Sequence, residues 1–397
     1  MASSTPSSRP TPGFRRGKRI SDLMTADYHA FLDSSLAAER SGDAATAFEY
    51  HQGIPMFERS SHVVLLKQLA DLAEEMPPWL WARWAAYQST RCEDPGTEGC
   101  DISHAALDYT LAMFHRDAMD EAYRTGGDPM RIAARTVGED WVYHQVCTYE
   151  LGGLQCFLDT TATGLLADRS TLARSWIDAH VSGYRLESSS PNRLTVRDLA
   201  QDRPVELIDL GARVHADADG WLIGRLVPSG AIPSLMFDTR PLPVDRQTAM
   251  EASTGDRRGA WITALVEAIA DGRVDGAVLR SEDRELVTDV PSLALVERGT
   301  PPPALASALD QLARGRDEVG RSAYRILRTA AEGSLGSDED APYVAAAMVN
   351  AHGYGEAQRR LVRPECQAAW EHWSRLVAEP ARGRLIRLAE LSGATAA

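Results

Sequence analysis

Several short motifs that mark common enzyme classes are missing from this sequence. It has no GxxxxGK[S/T] loop and no GxGxxG turn, so the backbones that usually hold nucleotide phosphates are lacking. The HExxH and paired CxxC spacings are absent too, and Gly333-Ser334-Leu335-Gly336 lacks the register of a GxSxG nucleophile elbow. These absences count against P-loop nucleotide hydrolases, dinucleotide oxidoreductases, zinc peptidases and the common serine hydrolases.

Lysine is also scarce, with only Lys18 and Lys67 among 42 basic residues. Arginine can be selected for bidentate contacts to anions, but we interpret its excess as the codon bias of a GC-rich genome, which also suits the abundant alanine. The formal net charge is −14, and because the first 20 residues are basic, the remaining chain is more acidic still. Such a body repels phosphate backbones, which disfavours a nucleic-acid partner.

Cysteine is too sparse for a disulfide scaffold, since five residues are spread over 397. No apolar run approaches the roughly 18 residues that would span a membrane. The basic N-terminus is not followed by the hydrophobic core of a secretory signal. The sequence therefore predicts a reduced, cytoplasmic protein without a membrane partner.

Apolar side chains then recur at helical spacing through the first half of the chain. Residues 1–20 have almost no apolar content and are predicted to be a disordered tail. Thr25 is a candidate N-cap for the first helix, and the stripes that follow predict an N-terminal helical bundle over 21–186. Gly42 followed by Ala47 resembles one hairpin of a tetratricopeptide array, although no second copy follows at a 34-residue period.

The pattern changes to a period of two after a Ser- and Pro-rich stretch near residue 187. Leu194 and Val196, then Val205 and Leu207, alternate with polar residues, and turn residues separate the runs. We predict a short antiparallel, barrel-like β insert over 187–245 and a mainly helical C-terminal region over 246–397. The expected fold class is α+β, predominantly helical.

A candidate nucleophile lies on the strongly apolar helix predicted from residue 140 to 158. Asp140, His144 and Cys147 fall within about 40° of one another on one helical face. Asp140 could orient the imidazole of His144, and that imidazole could activate the thiol of Cys147. The alternative is a buried, inert thiol and a carboxylate that stabilises the first turn of the helix.

A candidate zinc site combines Cys92, Cys100 and His104, because thiolate and imidazole suit zinc. Asp108 and His115 share the helical face of His104, but a helical rise places His115 about 16 Å from His104, too far for one ion. The alternative is a flexible loop with two ordinary thiols. No cofactor beyond this hypothetical ion is indicated.

Two further pairs are candidate binding residues. Trp81 and Trp84 share a helical face and could line a groove for a ligand or partner, although core packing is the default explanation for such residues. Arg197 and Arg225 could receive an anion at one mouth of the small barrel, whereas solvated strand positions are the alternative.

The functional hypothesis that follows is a binding or scaffold protein that acts on a protein partner through its helical hairpins and small β module. The missing catalytic motifs motivate it. The alternative is an enzyme of unrecognised type with a pocket between the helical bundle and the β insert.

Overall fold

The computed structural model describes residues 23–57, 60–92, 94–215, 220–254, 259–280, 286–290, 318–335 and 337–395. The predicted disordered tail, residues 1–20, lies outside the described residues. None of the helices in the described ranges has an apolar stretch of the length and composition that crossing a bilayer requires.

The described chain before the sheet is helical, and several helices begin at a side chain that caps them. Thr25 accepts from the amide of Tyr28 at 3.3 Å, which confirms it as the N-cap of the first helix. In chain order the helices are α1 (Ala26–Ser41), α2 (Ala44–Gln52), α3 (Ser61–Leu72), α4 (Pro78–Ser89), α5 (Glu98–Phe114), α6 (Arg116–Thr125), α7 (Pro129–Glu139), α8 (Trp141–Gln145), α9 (Gly153–Thr160), α10 (Gly164–Asp168) and α11 (Thr171–Arg174).

The helix predicted without interruption from residue 140 to 158 is divided. A π-helical turn, Val146–Glu150, follows α8, and Gly152 with a φ of 80° precedes α9. A Cβ at Gly153 would lie 2.4 Å from the carbonyl oxygen of Cys147, so glycine is needed where the chain turns back on itself. The apolar periodicity of this segment does not reveal the break, because both pieces are buried.

The strands form one antiparallel sheet that curls into a half-barrel. Its path is β3-β2-β1-β4-β5, and β6 also pairs with β4. The first strand begins at Val181, so the domain boundary predicted at residue 187 falls inside it. The strands are β1 (Val181–Ser190), β2 (Arg193–Asp198), β3 (Arg203–Ile208), β4 (Trp221–Pro228), β5 (Leu235–Phe237) and β6 (Leu242–Val244).

Helices resume after the sheet and pack both on it and on the bundle. They are α12 (Arg246–Ser253), α13 (Ala260–Ala270), α14 (Glu318–Ala331), α15 (Ala341–Val349), α16 (Ala351–Arg360), α17 (Gln367–Ser374) and α18 (Ala381–Ala394). A Cβ at Gly183 in β1 would lie 1.8 Å from the carbonyl oxygen of Ala249 in α12, so glycine permits this close approach. Trp84, Leu327 and Leu388 belong to one buried cluster, which joins the two helical regions.

The predicted fold class is therefore confirmed. The chain is α+β and predominantly helical, with a short, curled antiparallel sheet between two helical regions. The arrangement of these helices and strands places α4, α8 and the end of β5 around a common space. The candidate site lies in that space.

Candidate functional site

The carboxylate of Asp140 orients a histidine, but the partner is His115 and not the predicted His144. Asp140 caps α8, with Oδ1 accepting from the amide of Tyr143 at 3.0 Å. Its Oδ2 lies 2.7 Å from Nε2 of His115, which stands between α5 and α6. His144 lies 3.1 Å from the carbonyl oxygen of Val137 through its own Nε2. Because Asp140 precedes the helix, its side chain turns back toward α5 and not along α8.

Cys147 lies inside the core, where it is fully buried. Its Sγ is 3.8 Å from Oγ of Ser103 and 3.9 Å from the carbonyl oxygen of Ser89. Neighbouring side chains of the buried cluster include those of Val146 and Trp141. A thiol in this position has no path to a substrate in the folded state.

Cys147 should therefore react with iodoacetamide at least about 100-fold more slowly in the native protein than in urea, since labelling requires local opening. Peptide-resolved mass spectrometry after timed labelling measures this ratio, and Cys147→Ser identifies the peptide. Native labelling faster than in urea would instead support the predicted activated nucleophile.

The predicted zinc ligands are only partly brought together. Sγ of Cys100 lies 4.0 Å from Nδ1 of His104, and Cys92 packs against Gly99, where a Cβ would be 3.1 Å from its sulfur. Burial raises the pKa of Cys92 to about 11, whereas zinc requires a thiolate. The described ranges contain no group of three or more His, Cys, Asp or Glu side chains placed to hold a metal ion. Zinc binding here stays a prediction.

The two candidate tryptophans lie within the main core. Trp81 and Trp84 stack with ring centroids 5.5 Å apart, and both rings are buried. Their burial favours the packing interpretation over an open groove, because a groove would leave one ring face accessible.

The two candidate arginines lie in different environments. Arg197 is on β2 near the surface and pairs with Glu187 at 2.7 Å and Asp202 at 3.0 Å. Arg225 on β4 is buried, with its side chain 1% exposed, and pairs with Glu150 at 2.8 Å. The first is a solvated strand position, and the second connects the sheet to the helical bundle.

A cavity of about 690 Å³, counting its open mouth, lies between the bundle and the end of β5. Apolar and aromatic side chains form much of its wall, and polar or charged residues, among them Glu139, His144 and Arg240, form the rest. Its apolar and aromatic residues include Ala86, Tyr87, Trp141 and Leu286. Arg83, Gln145, Tyr149 and Asp238 make up its polar end. Mostly apolar walls with a few polar groups are typical of small-molecule sites.

The polar end is held by a chain of buried hydrogen bonds. Nε2 of Gln145 donates to Oδ2 of Asp238 at 2.7 Å, and its Oε1 accepts from Nε of Arg225 at 2.9 Å. Arg83 pairs with Asp289 at 2.8 Å and donates to the carbonyl oxygen of Phe237, the residue before Asp238, at 2.9 Å. These bonds fix the side-chain positions before any ligand enters, which reduces the entropy lost on binding.

Two buried polar atoms of this group have no hydrogen-bond partner among the described residues: Oδ1 of Asp238 and Nε of Arg83. Burial raises the pKa of Asp238, and the charge of Arg225 opposes this rise. Burial, followed by the charge of Asp238 and by the contact of the phenol hydroxyl with that carboxylate, raises the pKa of Tyr149 well above its ordinary value. Leaving a buried donor and acceptor unsatisfied costs roughly 1–3 kcal/mol each, so a ligand that satisfied both would regain that energy.

Sequence reasoning missed Arg83, Gln145 and Asp238. They come from α4, α8 and the residue after β5, and no spacing relates them. The only available signals were indirect, since Arg83 lies among the tryptophans of α4 and Gln145 lies between His144 and Cys147. Comparisons with protein-family models, with curated proteins and with solved structures found no match for this chain.

Proposed function

We propose that the protein binds a small planar molecule carrying an amide group in the cavity between α4, α8 and the end of β5. The observation that carries the proposal concerns two residues that line this open cavity: Oδ1 of Asp238 and Nε of Arg83 are buried and have no hydrogen-bond partner among the described residues. Buried polar atoms in folded proteins are nearly always paired. An unpaired donor and acceptor lining one cavity are typical of a site that a ligand completes.

The chemistry of the two atoms selects the ligand. With Asp238 ionised, Oδ1 accepts and Nε–H of Arg83 donates, so the matching group offers one donor and one acceptor side by side. A primary amide, or the edge of a lactam ring, has this arrangement. An amidinium offers donors alone and a carboxylate offers acceptors alone, so each would leave one of the buried atoms unpaired.

The remainder of the ligand is expected to be an apolar ring. Trp141, Tyr87 and Ala86 line the cavity together with Leu286, and aromatic side chains pack well against planar rings. This places the proposal within the predicted class of binding proteins, with a small molecule in place of the predicted protein partner.

An enzyme of unrecognised type is the second candidate, favoured by one observation. Burial raises the pKa of Asp238, and a carboxyl with a raised pKa is a candidate for proton exchange with a ligand. The cavity would be the same, and turnover of an amide ligand would distinguish the two.

Three isosteric probes test the proposal: benzamide, benzamidine and benzoate, with affinity followed by saturation-transfer NMR and calorimetry at pH 7.5. Ligands of this size bind at about millimolar concentrations. We expect benzamide to bind about 10-fold more tightly than either charged probe. As the pH falls toward the raised pKa of Asp238, its carboxyl becomes a donor, so the preference should move from benzamide toward benzoate.

Asp238→Asn should abolish the preference among the three probes, because the asparagine can present either a donor or an acceptor. Asp202→Asn is the matched control, since Asp202 is exposed and pairs with Arg197 on the surface. Equal affinity of the wild-type protein for all three probes, or no binding of any of them, would contradict the proposal.

A further inference from the structure

A second cavity, of about 320 Å³, borders the junction between α7 and α8. Its lining residues are His115, Ile132, Arg135, Thr136, Asp140 and Arg280. None of these residues lines the first cavity. The second cavity is therefore a separate space with a different, more basic lining.

The imidazole of His115 is held in one orientation at this cavity. Nε2 donates to Oδ2 of Asp140 at 2.7 Å, and both side chains are buried. Asp140 is held in turn by the amide of Tyr143 at 3.0 Å. A carboxylate fixed in this way keeps the proton on Nε2 and leaves the lone pair on Nδ1. Nδ1 has no hydrogen-bond partner in the part of the chain that the structure describes.

Two arginines contribute positive charge to the lining of this cavity. Arg135 of α7 is exposed and forms a surface pair with Glu139 at 3.2 Å. Arg280 is exposed, and within the described ranges no carboxylate pairs with its guanidinium, while its backbone bridges Asp140. A surface pair such as Arg135–Glu139 contributes little energy, so Arg135 is available to a ligand. Guanidinium groups match oxyanions through two parallel hydrogen bonds.

We propose that this second cavity binds a small tetrahedral oxyanion of the phosphate type, and that His115 takes up one proton when the anion binds. The anion accepts from Arg135 and Arg280. The proton comes from the solvent and adds to Nδ1, which then donates to the anion, while Nε2 keeps its bond to Asp140. No covalent bond forms or breaks.

The charges around the imidazole determine the direction of this coupling. Asp140 contacts the imidazole from the start of α8, and Arg135 of α7 and Arg280 line the same cavity, with Glu139 paired to Arg135. A dianion bound in the cavity would add negative charge beside the imidazole and favour its protonated form. Anion binding and protonation therefore strengthen each other.

Sulfate is the first probe, because it stays a dianion across the neutral range and any proton taken up must come to the protein. Calorimetry at pH 7.5 in Tris and in imidazole buffer, which differ in ionisation enthalpy, measures the number of protons. We expect an apparent binding enthalpy that depends on the buffer, corresponding to a substantial fraction of one proton. His115→Gln should lose the buffer dependence and bind sulfate about 5- to 10-fold more weakly.

His29→Gln is the matched control, since His29 is exposed on α1 and lies outside this cavity. Arg280→Gln should weaken sulfate binding by a similar factor yet retain proton uptake. Should His115→Gln fail to fold, histidine NMR of the wild-type protein replaces it, because sulfate should increase the protonated fraction of His115 and leave that of His29 unchanged. Inorganic phosphate and phenyl phosphate then distinguish a free anion from a phosphate ester.

Three results would overturn the proposal: no sulfate binding at millimolar concentration, a binding enthalpy independent of buffer, or proton uptake that persists in His115→Gln. Each can be obtained without knowing whether benzamide binds in the first cavity. The outcome is therefore independent of the proposed function.

Discussion

Replacing Arg225 with methionine is expected to lower the free energy of unfolding by about 3–5 kcal/mol. The guanidinium donates to Glu150 at 2.8 Å, to Gln145 at 2.9 Å and to the carbonyl oxygen of Ala179. It also lies 4.1 Å from the centroid of the Tyr149 ring. Methionine fills similar volume but donates to none of these acceptors, and Glu150 then keeps only the bond from Nε1 of Trp261 and loses its positive partner.

Urea denaturation at pH 7 measures the effect, and Arg197→Met is the matched control. Arg197 lies on β2 and pairs with Glu187 and Asp202 near the surface. An exposed pair contributes less than about 1 kcal/mol, so this variant should remain close to the wild type. The two substitutions are chemically identical, so their difference isolates burial.

A double variant tests the cause of the loss. In Arg225→Met with Glu150→Gln, the buried carboxylate is no longer charged, and the amide oxygen can still accept from Nε1 of Trp261, as Glu150 does at 3.2 Å. We expect it to be more stable than Arg225→Met alone, because most of the cost arises from the unpaired charge. A loss below 1 kcal/mol in the single variant would show that Arg225 does not connect the sheet to the bundle energetically.

The alternation of apolar residues was sufficient to predict the sheet, and in β2 it corresponds to a strict alternation of buried and half-buried positions. It was not sufficient at the start of β1, where Val181, Tyr184 and Leu186 are buried but irregularly spaced polar residues separate them. Period alone cannot separate a buried strand from a short helical segment. The break between α8 and α9 was not predicted for a related reason, because tertiary contacts and not intrinsic helix propensity determine where the helix ends.

The candidate site shows a different limit of prediction from the sequence. Asp140 and Arg225 were recognised as unusual residues, but their partners lie far away in the chain: His115 is 25 positions from Asp140, and Glu150 is 75 from Arg225. Helical geometry relates only residues three or four positions apart. The sequence therefore identifies which residues carry chemistry more readily than which residues they meet, and Asp238, in a short loop, offered no pattern at all.

A second large effect is expected at Glu39, which is fully buried on α1 and meets three donors. Nε2 of His62 lies 3.0 Å from Oε1, Nε2 of Gln88 donates to Oε2 at 2.6 Å, and Arg91 pairs with Oε2. Burial alone would raise the pKa of Glu39, but the charges of Arg91 and His62 outweigh it and lower the pKa from 4.5 to about 2. Glu39→Gln should therefore cost about 3 kcal/mol at pH 7, measured by urea denaturation.

The pH dependence of that loss follows from the same pKa. Between pH 4.5 and 2 the unfolded chain binds a proton at Glu39 that the folded protein does not, so the wild-type advantage is complete above pH 4.5 and disappears as the pH falls to 2. Both proteins also lose stability between pH 6.5 and 4, because burial, with the charge of His62, lowers the pKa of His51 to about 4. Because the charge of Glu39 also raises the pKa of His51, the difference between the two proteins reports Glu39 itself below pH 4.

Glu206→Gln provides the control, since Glu206 pairs with Arg193 on the exposed side of the sheet and its loss should change stability by no more than about 0.5 kcal/mol. If the gap between wild type and Glu39→Gln stayed constant from pH 5 to pH 2, the stabilisation could not come from the ionised carboxylate. The contribution of Glu39 would then be one of shape and hydrogen bonding, which glutamine would largely preserve, and the predicted loss at pH 7 would also be too large.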